Sequence, residues 1–235
     1  MTLDRRGIVL ALAIAAWAGF FDWLWLSGHA GSYVGSRTGW VVPFGAMVLT
    51  LTAAVQLARA LRRRGDGRPL RLREAAGLIA LVAPVLAVVV IPAPTLGAFA
   101  VDRKAADREL AAFNHTPAPA SQPLRLLDLA VASASPEYAQ RRGVTVGRSV
   151  TATGFVSKDA GGGVLEVSRF YTYCCAADAI PYSVAVRALV GGEPHAVDDW
   201  VRVSGTIMKA PDGSYAVQAT RVVKIAAPRD PYGTS

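Results

Sequence analysis

The sequence predicts a membrane-embedded α-helical N-terminal region followed by an all-β C-terminal domain of five short strands. Three observations predict it. The chain has 235 residues, 52% hydrophobic and 18% charged, with a mean hydropathy of +0.33. Its apolar excess lies in three segments of the first hundred residues, each near the ~20 residues that span ~30 Å of hydrocarbon. Beyond residue 140, short Val-rich runs alternate with Gly-rich turns, as in small all-β domains.

The helices are expected at about 8–26, 40–58 and 75–91, the third running on towards Ala100. One such segment alone could be a buried helix of a soluble domain. Three in series, with charged or Gly-rich loops between them, point to a multi-pass membrane region. Arg5 and Arg6 ahead of the first give it the look of a signal peptide. Its aromatic end, Phe20-Phe-Asp-Trp-Leu-Trp25, offers no small-residue cleavage site, so it reads as an uncleaved helix.

Charge sets the expected orientation. The 59–74 loop carries Arg59, Arg62, Arg63, Arg64, Arg68, Arg71 and Arg73 against Asp66 and Glu74, whereas 27–39 carries only Arg37. Short Lys/Arg-rich loops stay cytoplasmic. The N-terminus is therefore expected in the cytoplasm and everything after about Ala100 outside it. Trp23, Trp25, Tyr33 and Trp40 fall at the outer helix ends, as an interfacial belt would. Arg103, Lys104 and Arg108 argue mildly against this, balanced by Asp102, Asp107 and Glu109. The net charge of +8 and pI of 9.9 could suggest nucleic acid. Residues 1–123 hold 13 basic and 7 acidic residues, and 124–235 hold 12 and 10. The basicity thus belongs mostly to the membrane half, and no nucleic-acid partner is expected.

Three parts follow: a membrane domain at 1–102, a connecting segment at 103–140 and an extracytoplasmic β-domain at 141–228. The connection includes a Pro/Ala linker, Asn114–Gln122, then an apolar stretch, Leu124–Ala132, of open structure and one helical turn at Pro136–Arg141. Strands are expected at 144–157, 164–173, 182–190, 200–208 and 215–226, with turns at Asp159–Gly163 and Ala210–Gly213. Gly154 and Gly205 inside strands mark bulges or tight bends. Five strands with such bends fit an OB-like Greek-key barrel. The short Gly191–Asp199 gap leaves an SH3-like barrel or a small sandwich as alternatives.

Cys174 and Cys175 are the only cysteines, and they are adjacent. Four uses compete: buried packing, a vicinal disulfide, metal ligation, and thiol exchange. An extracytoplasmic compartment disfavours free thiols, and no Cys-x-x-Cys motif or neighbouring His supports exchange. Thiolates suit Zn²⁺ or Cu⁺. Neighbouring side chains on a strand point to opposite faces, so shared ligation needs a turn. Ala176–Pro181 looks like one, because Pro181 cannot continue a central strand. Asp178 would then join the sulfurs, with His195 or His115, water or a partner as a fourth donor. Asp178 could equally cap the turn. Arg169 is expected in a surface ion pair and Phe170 in the core. Asp22, a carboxylate about a turn inside the outer membrane face, should face a partner helix or cavity, or reach water, with His29 near the same face.

Ser168-Arg-Phe-Tyr-Thr-Tyr-Cys-Cys-Ala-Ala-Asp-Ala-Ile-Pro181 resembles the central motif of the YcgQ-like bacterial membrane family. The resemblance extends to 31–37, 151–156, 199–206 and 228–232. It departs at Ile180–Val186, where more Gly and Val would be expected. It implies hydrophobic helices followed by a Cys-Cys-Ala-Ala-Asp-Ala domain, frequent encoding beside a predicted permease, and zinc-responsive control in some members. No phosphate loop, dinucleotide fingerprint or hydrolase signature is present, so an enzyme is the weaker expectation. The expected function is a membrane-anchored accessory protein of a permease, presenting a Zn or Cu ion or small ligand through the Cys-Cys domain. The alternative is an envelope thiol-redox protein. The bilayer and a permease are the expected partners, and three helices are few for a substrate path unless the chain forms homo-oligomers.

Overall fold

The computed structural model describes residues 4–35, 37–62, 72–90, 96–104, 118–187 and 194–232. Most of the arginine-rich loop, His115, the start of the Pro/Ala linker and part of the 191–199 gap lie outside the described residues. The chain divides into two compact units, 1–33 with 37–94, and 34–36 with 95–235.

The first unit holds α1 (Arg5–Ser27), α2 (Val41–Arg62) and α3 (Leu72–Val90). All three are long and apolar enough to cross a membrane. Asp4 starts α1 by accepting from the Gly7 amide at 3.0 Å, and Gly28, left-handed at φ 77°, ends it. On α2, Ala46, Ala53 and Ala60 are buried at seven-residue spacing. Without a hydrophobic drive between helices in lipid, small residues allow the close backbone packing that replaces it. The Trp17 indole donates to the Leu81 carbonyl of α3 at 2.9 Å. That bond lies three residues before Pro84, which leaves an amide missing from the α3 ladder. Trp23, Trp25 and Trp40 are exposed.

The second unit contains α4 (Ala98–Arg103), α5 (Leu126–Ala134), α6 (Pro136–Arg142) and strands β1 (Ser149–Gly161), β2 (Val164–Tyr171), β3 (Ile180–Arg187), β4 (Trp200–Lys209) and β5 (Tyr215–Lys224). The apolar stretch at 124–132 is thus a helix, and the turn expected at 136–141 is a two-turn one. The strands form one sheet that closes in a ring, in the order β1-β2-β3-β5-β4 with β4 returning to β1. All pairings are antiparallel except β3 with β5. Val167, Val184, Val201 and Val217 fill the interior together with Leu129 of α5 and Tyr138 of α6. A second cluster joins Phe155, Phe170 and Trp200 to Val101 of α4 and to Tyr232.

One sequence expectation changes and another holds. Pro181 does not precede β3 but is its second residue, opposite Phe170. Among the described residues β3 pairs with β5 at Val186 and Arg187, so the amide that Pro181 lacks falls where one side of the strand is open. Gly205 does mark a bulge, since the β4–β5 register shifts between Ser204 and Gly205. A Cβ at Gly205 would overlap the Gln218 carbonyl oxygen and stand 2.8 Å from the Ala219 Cα. Both are backbone atoms and cannot swing aside. Gly205→Ala is expected to cost about 1–3 kcal/mol, read as a lower thermal midpoint of the full chain. An unchanged midpoint would show that the ring relaxes at this point.

Candidate metal centre

The segment after β2 turns at once. Cys175 is extended, and a single 3₁₀ turn, Ala176–Asp178, follows it before β3 begins. The turn carries Asp178 back towards the residues preceding it. Its carboxylate accepts from the amide of Tyr173 at 3.0 Å and of Cys174 at 2.8 Å. Asp178 therefore caps the turn as well as facing the cysteines.

The two sulfurs lie 3.6 Å apart, both free thiols. One donor atom from each of Cys174, Cys175 and Asp178 lies within 4.8 Å of the others, so the group could hold a metal ion. Cys174 is exposed, and the other two are half-buried. The Cys174 thiol is pushed up to about 12, first by its hydrogen bond to the Asp178 carboxylate and next by the Cys175 sulfur. Burial pushes the Asp178 carboxyl up, but the Cys174 thiol and the amides of Cys174, Tyr173 and Cys175 outweigh it and hold the group below the usual range. The proton thus stays on the Cys174 sulfur, facing an ionised Asp178 carboxylate. A dication would reverse that balance, because a coordinating thiol is deprotonated.

Two other segments of the same unit hold this loop. Val34 pairs with Cys175 in an isolated antiparallel bridge, and the Gly35 amide donates to the Cys174 carbonyl at 3.0 Å. A side chain at Gly35 would press on Thr172 Oγ1 at 2.7 Å. The Lys104 ammonium donates to the carbonyls of Ala177 at 2.8 Å and Ala179 at 3.0 Å.

The remaining expected residues fall elsewhere. His195 is half-buried in the loop before β4, with Nδ1 shut away from any hydrogen-bond partner, and is not one of the three gathered donors. Asp22 is exposed on α1. His29 stacks on Trp23 at 5.0 Å, and its Nδ1 lies 2.8 Å from Ser27 Oγ. Arg169 was expected at the surface but is only 2% exposed. Its guanidinium donates to the Asp230 carbonyl at 2.9 Å and lies 6.0 Å from the Trp200 ring. The strand that buries Phe170 also takes Arg169 out of water, and a backbone carbonyl and an aromatic face are among its partners.

A buried charged cluster escaped sequence reasoning. Asp128 of α5 and Arg142 of α6 are both fully buried. Arg142 donates to both carboxylate oxygens, from Nε at 3.0 Å and Nη2 at 2.9 Å. Tyr138 donates to Asp128 at 2.7 Å, and the Arg125 amide does so at 2.8 Å. Arg142 also donates to the carbonyls of Ala118, Pro119 and Pro123. Every polar group is met, which marks this cluster as the structural tie between α5, α6 and the chain entering them. A lone carboxylate in an apolar run was its only signal.

The second unit is thus a five-stranded sheet closed in a ring, with a turn of metal-type donors after β2. Residues 136–233 match the family model of the DUF1980 C-terminal domain. That span includes Cys174, Cys175, Asp178 and Arg142, and it excludes Lys104 and Asp128. No curated protein matches the chain.

Proposed function

We propose that the chain is a membrane-anchored accessory protein that presents a Zn²⁺ or Cu⁺ ion from its C-terminal domain to a permease. The observation that carries the reading is the gathering of two thiols and a carboxylate within 4.8 Å. Three protein donors leave a tetrahedral ion one open position, which suits hand-over better than permanent structural binding. The strand order, with β1 closing on β4, supports an OB-like barrel. The arginines between α2 and α3 support a cytoplasmic N-terminus and an extracytoplasmic C-terminal domain.

The thiol-redox alternative draws less support. Exchange needs a thiolate near ambient pH, and Cys174 is pushed the other way. The permease is tested by chemical cross-linking in native membranes of the tagged full chain and its Cys174→Ser/Cys175→Ser form. A polytopic transport protein recovered with the first and reduced with the second is the expected result. No transport protein in either sample would remove the permease from the reading.

A further inference from the structure

We propose that Lys104 is the positioning residue of the centre, fixing the Asp178 carboxylate as the third donor beside a pair of sulfurs that are already in place. The inference rests on the metal reading above. Two thiolates bound at ~2.3 Å to one tetrahedral ion stand roughly 3.8 Å apart. Cys174 and Cys175 hold their sulfurs at 3.6 Å, so that half of the centre needs almost no movement. Their backbone is clasped by Val34 and Gly35.

The carboxylate half has a different support. Asp178 ends a three-residue turn that its own carboxylate caps, and the backbone of that turn is also held from outside. The carbonyls on either side of it in the chain, Ala177 and Ala179, both accept from Lys104 Nζ. Carbonyls at the end of a turn carry partial negative charge, and an ammonium there is favourable. Lys104 is itself anchored, because it caps α4 directly after Arg103 and Val101 of that helix is buried in the aromatic cluster. A fixed ammonium thus grips the backbone on both sides of the residue that supplies the oxygen donor. Lys104 touches no donor atom in this arrangement and acts through Asp178.

The test uses the reduced full chain in detergent, titrated with Co²⁺ as a spectroscopic stand-in for Zn²⁺, for the wild type, Lys104→Met and Lys104→Arg. The near-ultraviolet thiolate-to-cobalt band counts sulfurs, and the visible d–d bands report tetrahedral geometry. Lys104→Met is expected to keep the sulfur band, lose visible intensity, and bind Zn²⁺ about 10–100-fold more weakly in competition with a chelator. Lys104→Arg should restore most of both. Loss of both bands together in Lys104→Met would make Lys104 a merely structural residue and overturn the assignment. So would Lys104→Met spectra and affinity equal to wild type. If the wild type binds neither ion, the metal reading itself falls and this inference falls with it.

Discussion

Asp128→Asn is expected to destabilise the C-terminal unit by about 3–5 kcal/mol, the range seen when one partner of a buried ion pair is removed. Arg142 would keep its charge with no exposed surface and lose its carboxylate, while its bonds to the Ala118, Pro119 and Pro123 carbonyls remain. The measurement is the thermal midpoint of the full chain in detergent. A pH series gives an independent check. Burial pushes the Asp128 carboxyl up, but hydrogen bonds from Arg142, the Arg125 amide and Tyr138 prevail and lower it from 3.8 to about 2. The folded state therefore holds fewer protons than the unfolded state between those values. The resulting stability, about 2 kcal/mol, is complete above pH ~4 and is lost as pH falls towards 2. Wild type should lose it in that window and Asp128→Asn should not. Replacing both partners by Leu and Met should be milder than the sum of the single changes, because no uncompensated charge is left behind. Additive single and double effects would show that the cluster is not a coupled unit.

What the sequence revealed and what it hid divide along the range of the interactions. Hydropathy is local, and the helices expected at 8–26, 40–58 and 75–91 are found at 5–27, 41–62 and 72–90. The five strands and the bulge at Gly205 were legible for the same reason, since strand alternation and an interior glycine are written in consecutive residues. Asp128 and Arg142 were not, because each looks like an ordinary helical surface charge until two short helices fold against each other. Arg169 misled because a guanidinium next to Phe170 suggests an alternating strand with one wet face. Here the aromatic cluster and the C-terminal segment cover what would have been that face. Pro181 misled because its rule concerns strands paired on both sides, and β3 is open on one side there. At the centre, the three donors within five residues could be read directly. The clasp at Val34–Gly35 and the grip of Lys104 could not, because they join residues that lie some 70 to 140 positions apart.

The second large effect concerns the cysteines. Reduced full chain is expected to take up Zn²⁺ or Cu⁺ near one per chain, and Cys174→Ser/Cys175→Ser to take up none above background. The sulfurs supply two of three protein donors, and serine is a poor substitute for a soft or borderline ion. Equilibrium dialysis with metal analysis reads the stoichiometry. Loading should release protons and weaken as pH falls, since ligation needs thiolates. The thermal midpoint should stay close to wild type without metal, because the core lies inside the ring and neither cysteine belongs to it. The single change Cys174→Ser separates the two readings of the pair. A metal centre would keep Cys175 and Asp178 and bind more weakly, whereas dithiol exchange would cease altogether, having lost one of its two sulfurs. Equal uptake by wild type and double variant would remove the metal centre. A wild type that instead cycles between dithiol and disulfide against a small-molecule disulfide, with no metal bound, would transfer the function to redox chemistry.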